Sequence, residues 1–182
     1  VREQTIRDSV IFMLLVAIGV AGRWGQPDWC ITPIAATSLL AGYWFGRSSI
    51  AALVPLSTML ISDAALDGYQ NFGVMLAVYA AMAAPVLLGR WLRRGEGARW
   101  AAKLAASSLL PATLFFLVSN LAVWAWSAQP YYEKTLAGLV QCYAMAAPFY
   151  GRMLAGDMAF TALLFGAMLV AAGDTAKQRA AA

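Results

Sequence analysis

The chain has 182 residues, 62% hydrophobic and only 12% charged, with a mean hydropathy of +0.66, a formal charge of +4 and no histidine. The charged share is about half that of an ordinary soluble domain, and a soluble fold of this size has no core able to hide so many long apolar runs. Without imidazole, the commonest metal ligand and general base is missing. The excess of basic residues lies at the edges of apolar runs, which makes it a topology signal and not a nucleic-acid one.

In chain order, the apolar runs predict spans at about 10–22, 31–45, 50–61, 72–92, 103–126 and 153–172. A crossing needs roughly 20 mainly apolar residues, so the first two imply tilt or local thinning of the bilayer. The run 10–22 lacks a cleavage site and reads as a span and not as a signal peptide. Residues 135–150 are apolar but carry Gln141 and end near Pro148. They predict a short helix on the outer face before the last span, with a seventh span as the alternative. The tail 173–182 is small and polar and is predicted to fray. The expectation is an all-α integral membrane protein: six kinked transmembrane helices in one bundle, 1–182, plus the short outer helix.

Charge placement orients that bundle. With six spans and the N-terminus inside, Arg2, Arg7, Arg47, Arg90, Arg93, Arg94, Arg99, Lys103, Lys177 and Arg179 fall on the inner side, against Arg23, Lys134 and Arg152 outside. This predicts a bacterial inner-membrane protein with both termini cytoplasmic. The basic loop 90–103 reads as a topological anchor in contact with lipid headgroups.

Chemistry has to come from polar groups at unusual depth. Asp63 closes an apolar run and is either a solvated helix end or a substrate or partner contact. Asn120 either joins two helices or reads a ligand. Asp157 is placed to pair with Arg152 at helical spacing. Cys30 and Cys142 have no CxxC spacing, and Cys30 reads as a small buried apolar residue. The outer ends also collect Trp29, Asp67, Tyr69, Trp124, Tyr131, Tyr132, Glu133 and Lys134. Single aromatics there are usually interfacial anchors; mixed with carboxylates and amides they suit an organic solute. The expected solute site is Trp29, Asp63, Asn120, Trp124, Tyr131 and Tyr132, with no catalytic residue, metal site or cofactor.

Small residues recur one turn apart at Ala17 and Ala21, near Gly19 and Gly22, and at Gly42 and Gly46. Such faces allow close helix approach, within the bundle or against a partner. Prolines at 33, 55, 85, 111 and 148 fall in nearly every span and free carbonyls that must be satisfied inside protein or a wet cavity.

The string Trp29-Cys30-Ile31-Thr32-Pro33-Ile34-Ala35-Ala36, the Gly46-Arg47 hinge, Val54-Pro55-Leu56 to Ser62-Asp63, Val118-Ser119-Asn120-Leu121-Ala122-Val123-Trp124, and Tyr132 to Gly138 followed by Gly156-Asp157 to Gly166 resemble a family of small uncharacterised bacterial membrane proteins. That family is similar in layout to the substrate-binding S components of energy-coupling-factor (ECF) vitamin transporters. The resemblance implies a six-helix bundle holding a vitamin-like micronutrient near the outer face. It also implies an Ala-xxx-Ala face, matched by Ala17 and Ala21, that docks on a coupling subunit energised by two ATPases. The chain itself has no GxxxxGK[ST] loop.

Three function classes follow. One is a substrate-binding uptake component. Another is an accessory or assembly subunit of a larger membrane complex with no solute of its own, in contact with lipids and other subunits. The third, an enzyme, has no visible nucleophile–base pair or metal cluster and is set aside.

Overall fold

The computed structural model describes residues 2–25, 30–46, 48–66, 68, 69, 71–127 and 131–181, with side chains described to residue 173. Among these residues there are seven helices and no strand: α1 (Arg2–Gly25), α2 (Ile34–Phe45), α3 (Ile50–Asp63), α4 (Phe72–Ala83), α5 (Pro85–Leu92), α6 (Gly97–Trp126) and α7 (Leu136–Ala181). A turn at Ala84 joins α4 to α5 in one apolar stretch, Phe72–Leu92. Together with α1, α6 and α7, that stretch makes four helical units long and apolar enough to cross a membrane. At 12 and 14 residues, α2 and α3 are shorter, so the expected count of six spans is not matched.

The short helix α2 is the hub, packing against every other helix. Its sequence is apolar or small on all sides, and residues 34–42 are all buried. A helix apolar all round belongs in the interior. Buried this way, α2 has little outward-facing surface, and its length answers to its neighbours. The closest crossing is with α5: a Cβ on Gly42 would overlap the Val86 carbonyl, and one on Gly89 would overlap the Leu39 carbonyl. Only glycine fits at both positions, so the two backbones are in direct contact.

One end of the bundle is basic and aromatic. The C-terminal carbonyls of α2 are capped by Arg90 of α5 and by Arg93 just after it: Arg90 Nε donates to Gly46 O at 2.8 Å and Arg93 Nη1 to Trp44 O at 3.2 Å. Cations suit a helix C-terminus because its carbonyls are unpaired and carry the negative end of the dipole. At the same end Trp44 donates to Asp8 at the start of α1 (3.0 Å), and Tyr43, Trp100 and Phe165 form a ring cluster with centroids 5.5–6.4 Å apart.

The longest helix departs from expectation. In place of a short outer helix over 135–150 and a separate last span, α7 is continuous, and it is helical through the tail expected to fray. Thr135 caps its start, with Gly138 N donating to Thr135 Oγ1 at 3.1 Å. Pro148 deprives the Ala144 carbonyl of its helical partner, yet α6 splints the helix on both sides of it. Tyr143 donates to Leu117 O at 2.7 Å, and the Tyr150 and Thr113 hydroxyls are 2.9 Å apart. The apolar part, Leu136–Gly173, has 38 residues, about 57 Å of helix against a hydrocarbon layer of ~30 Å.

Candidate functional site

All seven helices contribute to one internal cavity of about 300 Å³. Its apolar wall includes Ile34 and Ala35 of α2, Met59 of α3, Val78 and Met82 of α4, Phe115 of α6 and Met153 of α7. Two of the prolines also face it, Pro85 and Pro111. Each removes one backbone N–H, leaving the Ala81 and Ser107 carbonyls without their helical partners. Interrupted backbone at this depth is tolerated where it lines a cavity or is buried in protein. The loop into α2 adds Cys30 and Thr32. Cys30 has φ +56°, a left-handed conformation rare for a non-glycine residue.

At the mouth stands a polar network built on Arg23, the last basic residue of α1. Gly22 lets α1 come close enough: a Cβ there would collide with the Pro33 ring. Arg23 Nη1 then donates to Asp63 Oδ1 at 2.5 Å and to Ser62 Oγ at 2.6 Å, both at the end of α3. Ser62 can accept because its own proton goes to the Thr58 carbonyl (2.6 Å). Tyr79 of α4 donates to Asp63 Oδ2 at 2.6 Å, and Trp24 donates to Ser62 O at 3.1 Å. Tyr69 lines the cavity with its ring 6.2 Å from that of Tyr79. Burial first, and the Asp63 carboxylate second, push the Tyr69 phenol above its ordinary 10.0. The network ties α1, α3 and α4 together and leaves Arg23 with its charge answered.

Asp157 occupies the opposite kind of position. It is 7% exposed on the wall of the cavity, roughly half way along the α6–α7 pair, beside the Ala112 backbone. The expected pair with Arg152 is absent: the Arg152 guanidinium lies 5.7 Å from the Phe149 ring centroid. Five residues along a helix turn about 140°, which points the two side chains to different faces. Among the described residues the ion pairs are Arg7–Asp8 and Arg23–Asp63, so no cation pairs with Asp157.

The expected site residues do not form one group. Asp63 stands behind Arg23 and not on the cavity wall. Asn120 donates to its own helix at Phe116 O (2.7 Å) and lies beside Cys142 Sγ, 3.5 Å from the Asn120 carbonyl. Trp124 donates to Glu133 O at 3.0 Å, while Lys134 bonds the Trp124 carbonyl and sits over its ring. That arrangement is the corner between α6 and α7. Tyr131 is exposed and Tyr132 half-buried beside it. Trp29 and Asp67 lie outside the described residues. Ala17 and Ala21 are exposed on α1, whereas Gly19 and Gly22 form its inward small-residue face. Cys30 and Cys142 are not joined in a disulfide. Sequence reasoning missed Arg23, which reads as a stray outer charge; the one available signal was an arginine within a turn of a glycine at a helix end.

No curated protein and no solved structure matches the chain, so the expected likeness to ECF S components has no counterpart among known relatives. What does match, over residues 3–180 and therefore nearly the whole bundle, is a family of unknown function, DUF6580, and the chain belongs to that family.

Proposed function

We propose that the chain is a membrane-embedded binding component for uptake of a small, vitamin-like organic solute, energised by partner subunits. The observation that carries this reading is the cavity to which every helix contributes, with Arg23, Thr32, Tyr69 and Asp157 on an otherwise apolar wall. A void is costly to keep in a packed interior, and a largely apolar pocket with a few convergent polar groups is the usual form of a small-molecule site. Its volume lies at the lower end of that class, which fits a compact solute. The reading includes no catalytic step and no cofactor. Absence of a nucleotide-binding loop in the sequence assigns energy input to other subunits.

The proposed setting is a bacterial inner membrane with both termini cytoplasmic. In support, Arg7, Arg90 and Arg93 gather at the end of the bundle where α1 begins and α2 ends, as the bias of basic residues toward the cytoplasm requires.

An accessory subunit of a larger membrane complex is the second reading. It is favoured by the outward face of α1, where Ala17 and Ala21 are exposed between Met13, Leu14 and Ile18, a small-residue strip of the kind that packs another helix.

Native mass spectrometry of the protein extracted gently from its source membrane separates the two. A co-purifying small organic molecule supports the uptake component. A stable protein complex with an empty cavity replaces that reading with the accessory one.

A further inference from the structure

We infer that the cavity selects a compact organic cation, a protonated amine or cationic heterocycle on an apolar body, with Asp157 as its counter-ion. The inference rests on the solute-binding reading above and adds the charge class of the solute.

Two charged side chains line the cavity, Arg23 and Asp157, and they are not equivalent. Arg23 is committed to Asp63 at 2.5 Å, with Ser62 on the same nitrogen. An anionic solute would have to compete with a carboxylate already in place. Asp157 has the Ala112 backbone beside it and no cationic partner among the described residues. A carboxylate buried in an apolar bundle is expensive unless paired. An ammonium group entering the cavity supplies the missing pair and leaves the wall neutral. Phe115 and Tyr69 add aromatic faces on the same wall, which attract a cation further. Apart from Cys30 and Thr32 the remaining lining is apolar, so the body that carries the charge should be largely apolar too. A volume of about 300 Å³ holds roughly ten non-hydrogen atoms, taking the ~30 Å³ of a liquid water molecule as the guide.

Three nearly isosteric probes test this on the full chain in lipid nanodiscs: phenethylammonium, phenethyl alcohol and phenylacetate. Expected is ammonium binding at least about tenfold tighter than the alcohol, as for a charge-assisted hydrogen bond, with phenylacetate weakest. Asp157→Asn should erase the preference for the ammonium while keeping alcohol binding, which also shows that the variant is folded; Asp157→Glu should retain the preference. The unaltered protein decides the question even where Asp157→Asn does not fold. Equal binding of ammonium and alcohol, tighter binding of phenylacetate, or a co-purifying solute that is neutral or anionic would overturn the charge assignment and leave the solute site standing. Failure of all three probes, with no small molecule on the extracted protein, would overturn both.

Discussion

Arg23 and Asp63 stand 40 residues apart in the chain and 2.5 Å apart in the bundle, with side chains 17% and 19% exposed. Breaking such a pair leaves one buried charge alone, at a cost of about 3–5 kcal/mol. Asp63→Leu should therefore lower unfolding stability in detergent by an amount of that order, and Arg23→Met similarly. The joint replacement Arg23→Met with Asp63→Leu should cost far less than the two single losses added together, because no charge remains unpaired. Additive losses in this cycle would show that the two residues do not act as a unit.

The contact between α2 and α5 makes a sharper prediction. Gly42→Ala and Gly89→Ala each put a methyl group onto a backbone carbonyl of the facing helix, and backbone cannot yield as a side chain can. Each should destabilise by about 1–3 kcal/mol, the range for overpacking. Gly151→Ala and Gly166→Ala meet open space and should be neutral or stabilising by up to ~1 kcal/mol through helix propensity. Thermal unfolding of the four variants side by side is the check, and a loss at 151 or 166 as large as at 42 would contradict the assigned crossing.

The Tyr69 network has a consequence at high pH. Burial and Asp63 both disfavour the phenolate, so the folded-state value lies above the ordinary 10.0. A group raised on folding contributes stability below its unfolded value, and that contribution is lost as pH rises through the folded value. Stability should thus decline above about pH 10, and Tyr69→Phe should flatten that decline. A slope unchanged by the substitution would remove Tyr69 from the network.

Much of this architecture is legible in the sequence because bilayer-length apolar runs are a local signal. The stretch 72–92 is read to the residue, and α3 begins where the apolar run begins. Errors occur where a local signal points two ways. Arg99 reads as loop, yet it lies in the first turn of α6, since a long helix can carry its basic end beyond the apolar layer. Pro148 reads as a stop, yet α6 holds α7 together across it through Tyr143 and Tyr150. The site is less legible than the fold. Asp63 and Asp157 stand out because carboxylates are rare here, but the partner of the first is an arginine on another helix, and Arg152, the expected partner of the second, lies on the same helix at a spacing that turns away. Interhelical contacts of this kind leave no periodic trace in one sequence.

The two cysteines offer a direct probe of the cavity. Cys142 is 2% exposed, its thiol directed at the Asn120 carbonyl 3.5 Å away, while Cys30 is half-buried and on the cavity wall. Methyl methanethiosulfonate should form a mixed disulfide with Cys30 at least about tenfold faster than with Cys142, because access limits the reaction of a buried thiol. Intact-mass time courses of Cys30→Ser and Cys142→Ser separate the two rates. The adduct on Cys30 then occupies part of a cavity of only about 300 Å³, so modified Cys142→Ser protein should lose affinity for a cavity ligand, and bound ligand should slow the labelling in return. Equal labelling rates would contradict the difference in burial between the two thiols, and ligand binding untouched by a complete Cys30 adduct would place the binding site elsewhere in the bundle.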